Sequence, residues 1–186
     1  MIKKVFLLIL LLLCITSTVF AHESKLYENK EYKFQLTYPE GWMPMILKKT
    51  KVDGIVVSFV SPDTLASVSV EVTRSTRKRV EEISKDDIRK VVDEIFEESV
   101  NEARKLLPDI KIKMNSYTIE NFKNQKAIKI STTCPAQYFS PETTDTIYVI
   151  FKDSYKYEIS FGGVISGIDQ YGNLIIESIN SFEFVH

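Results

Sequence analysis

Apolar residues recur along this chain in two rhythms. Tyr32, Phe34, Leu36 and Tyr38 alternate with other residues, the period of two that marks a strand with one buried face. Leu26 and Tyr27 precede a turn through Asn29-Lys30-Glu31, so the two segments read as a β-hairpin that Pro39 and Gly41 stop just before Trp42. Ile55 to Val60 is an apolar run between Gly54 and Pro62 and predicts a strand buried on both faces. Val68, Val70 and Val72 alternate with Ser67, Ser69, Glu71 and Thr73, which predicts a half-exposed neighbour.

The rhythm then changes. Ile88, Val91, Val92, Ile95, Phe96, Val100, Ala103, Leu106 and Leu107 fall at three- and four-residue spacings, one apolar stripe over about six helical turns. Ser84 with Asp87 approximates a capping box, Asp86 and Asp87 suit the positive end of the helix dipole, and Arg104 and Lys105 suit the negative end. Pro108 terminates the run. The opposite face carries Arg89, Lys90, Asp93, Glu94, Glu97, Glu98, Asn101 and Glu102 and is expected to face water.

Strand signals return afterwards. Ile110, Ile112 and Met114 alternate with polar residues, and Tyr117 to Glu120 continue them. Ala127, Ile128 and Ile130 lead to Thr132 and Cys134, and Ile147 to Phe151 reads as a central strand. Tyr155, Tyr157, Ile159 and Phe161 alternate with Lys156, Glu158 and Ser160, joined to the preceding strand by a short Lys152-Asp153-Ser154 turn and closed by Gly162-Gly163. Ile168, Tyr171, Leu174, Ile175 and Ile179 fit one face of a final helix, and Ser181 to Phe184 end extended. Strands linked by short turns imply an antiparallel sheet, because parallel pairs need crossover connections. The expected fold class is α+β, an antiparallel β-sheet flanked by helices.

The N-terminus supplies an address. Lys3-Lys4, an apolar run from Val5 to Leu13 and a Val19-Phe20-Ala21 end make residues 1–21 a secretory signal peptide, shorter in its apolar run than the about 20 residues of a membrane span. Cleavage after Ala21 predicts a mature chain from His22 to His186, one domain at work outside the cytoplasm with no transmembrane span. Lipidation at Cys14 would need a small residue before it, where Leu13 sits; an uncleaved leader would leave the chain membrane-tethered. The mature balance of 22 basic to 25 acidic side chains is too even for a nucleic-acid partner. Cys134 is the one mature thiol, so no internal disulfide is expected, and it reads as a small buried hydrophobe.

Phe34-x-Leu36-x-Tyr38-Pro39-x-Gly41-Trp42 resembles the opening signature of the PsbP-like family, named after an extrinsic subunit of the photosystem II oxygen-evolving complex. Ile179-x-Ser181-Phe182-x-Phe184 resembles that family's last strand, and the order of elements is similar over residues 25–184. The resemblance implies an α/β/α sandwich around an antiparallel sheet and a role in binding or assembly rather than a chemistry. Phe34, Tyr38 and Trp42 also have a structural reading, as a strand face capped by a Pro-Gly turn with a large ring closing the core.

Catalytic groups are scarce. His22 and His186, the two mature histidines, are chain ends, so a triad or a conventional zinc hydrolase has no rigid base or ligand set. A free His22 amine and imidazole could chelate copper with His186, against the plainer reading of a disordered first residue. Glu94, Glu98 and Glu102 share one helix stripe and could form a weak divalent-cation surface or a solvated face. Arg74, Arg77, Lys78 and Arg79 cluster after a strand as a candidate surface for an anionic lipid head group, a polyanion or an acidic partner, blunted by Glu81 and Glu82. Trp42-Met43-Pro44-Met45-Ile46-Leu47 is either an exposed apolar contact loop or, if the chain continues as a strand or packs over a sheet edge, core, with Trp42 assigned to core.

Taken together, these features predict a secreted, non-enzymatic domain without a cofactor that binds or assists another extracytoplasmic protein or envelope component. The alternative is a carrier of a small apolar ligand or metal ion in an interior pocket. An exposed Met43–Leu47 segment favours the first, and a sizeable dry pocket the second.

Overall fold

The computed structural model describes residues 23–49, 53–77, 79–136 and 141–185. The leader with Cys14, and His22, Lys78 and His186, lie outside the described residues. Among the described residues ten strands and two α-helices follow in the order β1 (Ser24–Asn29), β2 (Phe34–Pro39), β3 (Met43–Lys49), β4 (Gly54–Val60), β5 (Ala66–Arg74), α1 (Lys85–Leu106), β6 (Lys113–Phe122), β7 (Gln125–Cys134), β8 (Thr143–Lys152), β9 (Tyr155–Val164), α2 (Ile165–Ser181) and β10 (Glu183–Phe184). All strand pairs are antiparallel. The fold is α+β, as the alternation and the short turns require.

The strands form two sheets. A seven-stranded sheet runs β3-β4-β5-β9-β8-β7-β6, and a small one runs β1-β2-β10. The chain leaves the middle of the large sheet after β5, crosses one face as α1, and returns by a meander from the β6 edge that brings β9 beside β5. On one face, Phe34 and Leu36 of the small sheet and Ile175 and Ile179 of α2 pack on Val57, Phe59, Val68, Val70, Val72 and Ile159. On the other, Ile88, Val91, Val92 and Ile95 of α1 pack on Ile128, Ile130, Val149 and Phe151 of β7 and β8.

Three sequence expectations are corrected. β4 is buried on one face only: Ile55, Val57 and Phe59 are buried, whereas Val56, Ser58 and Val60 are half-buried, because the apolar residues of α1 seat over β7 and β8 instead. The stripe of α1 outruns the sheet, so Leu106 is 84% exposed and Leu107 is exposed too. Gly162 and Gly163 do not close β9, which continues to Val164. The absent side chains let the strand pass under its neighbours, since a Cβ at Gly163 would strike the Leu65 carbonyl.

Local chemistry fixes the ends. Ser84 caps α1, its Oγ accepting the Asp87 amide at 3.1 Å and donating to Asp87 Oδ2 at 2.6 Å. Asp153 and Ser154 in the β8–β9 turn have φ of 51° and 66°, the left-handed pair of a type I′ hairpin without its usual glycine. Left-handed backbone is costly for a residue with a Cβ. Ser154→Gly is therefore expected to stabilise the fold by about 0.5–1 kcal/mol, a rise in Tm of about 2–4 °C per kcal/mol that calorimetry reads directly.

Candidate functional site

Between α1 and the β3–β5–β9 side of the large sheet lies a polar cleft of about 180 Å³. The strand period places Lys49, Glu71, Lys156 and Glu158 on the sheet face that α1 covers. The Glu94-Glu98-Glu102 stripe of α1 hangs over them. Each stripe carboxylate has its own cation: Glu94 pairs with Arg77, Glu98 with Lys156 at 2.8 Å and Glu102 with Lys49 at 3.1 Å. Lys49 also pairs with Glu71, and Lys156 with Glu158 at 2.7 Å. The stripe is not a simple solvated face but a row of pairs fastening α1 to the sheet.

Lys156 is the buried member, its side chain only 10% exposed. Burial alone would push its pKa down; the carboxylates of Glu158 and Glu98 overcome that and hold it above the ordinary lysine value. Burial pushes the Glu158 carboxyl up, opposed by Lys156. Lys156 and Glu158 alternate with aromatic residues in the sequence and so read as a solvent face. The α1 crossing buries that face instead.

The basic cluster is dispersed. Arg74, the last residue of β5, gives two hydrogen bonds to Asp53 Oδ2 at 2.7 and 3.0 Å and lies over the Tyr155 ring. Arg77 is engaged by Glu94, and Arg79 is exposed. Acidic partners distant in sequence, Asp53 and Glu94, thus neutralise Arg74 and Arg77. Among the described residues no group of three His, Cys, Asp or Glu side chains is arranged to hold a metal ion. No described helix is long and apolar enough to cross a membrane.

Trp42 is buried, its ring perpendicular to Tyr171 at 5.6 Å between centroids. The residues after it continue as a strand but are not core. They form β3, the edge of the large sheet among the described residues, where Met43, Met45, Ile46 and Leu47 remain 48–61% exposed. Met43, Met45 and Leu47 lie opposite Val60, Ser58 and Val56 of β4, on the face whose covering helix seats elsewhere.

A seven-stranded antiparallel sheet with a helix across one face, and a helix with a small terminal sheet on the other, is the PsbP-like fold. Among solved structures, the solution structure of cyanobacterial PsbP (CyanoP) from Synechocystis sp. PCC 6803 shares it at a TM-score of 0.63 and 15% identity, over 90% of this chain and 96% of that one. A 1.50 Å crystal structure from Bacteroides thetaiotaomicron VPI-5482 matches at a TM-score of 0.53 and 14% identity, over 87% of this chain but only 48% of the other. No family model matches the sequence, and no curated protein matches it. At these identities the likeness is one of fold.

Proposed function

We propose that this chain is a secreted, non-enzymatic domain of residues 22–186 behind a cleaved leader, which binds or helps to assemble another extracytoplasmic protein. The observation that carries the reading is the free edge of β3 with four large apolar side chains in water. Such edges are templates for pairing with another strand, and contiguous exposed apolar side chains mark contact sites. A partner offering an extended segment adds to the sheet along Met45–Lys49 and lays apolar side chains on Met45 and Leu47. Lys48 is exposed and without an ion-pair partner among the described residues, which suits an acidic residue at the end of that segment. Pro44 has no N–H to donate and stops the pairing on its N-terminal side.

A photoreactive residue at Met45 of the full chain, activated in the producing cell's own envelope, is expected to give an adduct with a different protein. The same group at Arg104, exposed at the end of α1, is expected to give none. Equal adducts from both positions, or adducts from Met45 with a second copy of this chain alone, would overturn the reading.

A further inference from the structure

Three carboxylates, Glu71, Glu158 and Asp145, sit on the sheet face that α1 covers, and they are treated differently: Glu71 is paired with Lys49. Glu158 has a cation built in, the Lys156 ammonium at 2.7 Å. Asp145 of β8 has none: among the described residues its side chain makes no hydrogen bond and no ion pair. It lies between Thr132 of β7 and Gly162 of β9, and a Cβ at Gly162 would collide with its Oδ1. The glycine thus gives the carboxylate room to lie down on the strand.

Asp145, itself half-buried, lines a partly open pocket of about 180 Å³ between α1 and strands β7–β9. The walls are largely aliphatic and aromatic: Ile95, Phe96 and Val100 from α1, Ile130 from β7, Ile147 from β8, and Ile112. Ser99, Thr132, Cys134 and Ser160 add small polar groups. The volume is close to that of the ~150 Å³ apolar cavity known to hold benzene.

We propose that this cavity binds a small organic cation, an ammonium or amidinium group on a compact apolar body, with Asp145 as the counter-ion. The apolar body replaces no protein contact, and the cation supplies the charge that the fold leaves out. A carboxylate with no partner in an apolar site is expensive to keep ionised, and a bound cation removes that cost. Burial raises the Asp145 pKa to about 6, so near neutral pH the group is mostly the anion that such a ligand requires. The α1 residues facing it are Ile95, Phe96, Ser99 and Val100, those of β7 are Ile130, Thr132 and Cys134, and β9 offers Ser160; none is a lysine, arginine, histidine or second carboxylate.

Benzylamine, toluene and benzoate share one shape and differ in charge, so titrating the full chain with each by calorimetry tests the idea. Benzylamine is expected to bind at least about tenfold more tightly than the other two at about pH 8, and to lose about tenfold at about pH 5 as Asp145 is protonated. In the wild-type protein, NMR is expected to show the Asp145 carboxyl titrating at lower pH once benzylamine is present. Asp145→Asn should abolish the preference for benzylamine and leave toluene binding unchanged. No saturable benzylamine binding, equal affinity for benzoate, or an Asp145 resonance that benzylamine does not move would each overturn the proposal. The resonance decides the matter even if the variant proves too unstable to titrate.

Discussion

Lys156→Met is expected to lower the unfolding free energy by about 3–5 kcal/mol, the cost of leaving a buried carboxylate without its cation. The ammonium is held by Glu158 at 2.7 Å and Glu98 at 2.8 Å in a site only 10% exposed, and Glu71 lies directly across from Glu158 on β5. Removing the lysine leaves Glu158 without a cation under α1, across from a Glu71 that keeps Lys49. Adding Glu158→Gln to the variant should recover most of the loss, because it removes the stranded charge. The sign with pH follows from the Glu158 carboxyl, already raised in the folded state. Without Lys156 it rises further, the folded state binds a proton that the unfolded state has released, and stability falls as pH climbs above the ordinary carboxylate range. In the native protein the Lys156 contribution is full below the ordinary lysine value and fades only as pH rises through the raised folded value. Urea melts of the three proteins across that range measure both effects. A variant that melts like the wild type at neutral pH would mean the network does not fasten α1.

Phe182→Ala is expected to cost about 3–5 kcal/mol, the usual penalty for emptying a fully buried phenylalanine site. Its ring lies 5.9 Å from Phe34 of β2, 6.0 Å from Phe122 of β6 and 5.2 Å from Phe184 of β10, and it is wholly buried. One side chain therefore joins the small sheet to the large one immediately after α2. Hydrogen exchange should show the loss first at Phe34 and Gln35, the β10-paired residues of β2. Phe184→Ala, at a half-buried position, should cost clearly less. Equal effects would mean that packing around Phe182 is no tighter than at the rim.

The strand and helix periods were enough to find the architecture, since alternation at Phe34–Tyr38 and the stripe from Ile88 to Val100 report directly on burial. The corrected features are those set by how elements stack. Whether Val56 meets a helix depends on where α1 crosses, and Leu106 reads as core until the sheet beneath it ends. The candidate site was less legible for the same reason. Lys156 and Glu158 occupy polar positions of an alternating strand, a pattern shared by residues in water and residues under a polar helix face. Asp145 precedes the apolar run from Ile147 with no alternation to mark it. The Arg74 and Arg77 cluster stood out because it is contiguous, yet Asp53 and Glu94, which neutralise those two arginines, come from elsewhere in the chain. Met45 and Leu47 show the converse: apolar alternation marks a strand, and only the sheet order reveals that it is an edge.

The small sheet sets an order for biogenesis. Gln35 and Glu183 meet across 148 positions, and β2 has β10 as its neighbour only when Glu183 and Phe184 arrive. A polypeptide emerging N-terminus first, from a ribosome or through a translocation channel, holds the β1–β2 hairpin unfinished until those residues are out. A chain lacking Phe182 would leave Phe34 without the ring stacked on it, where chaperones and proteases meet it, so arrival of residues 182–184 is itself a quality check on this fold.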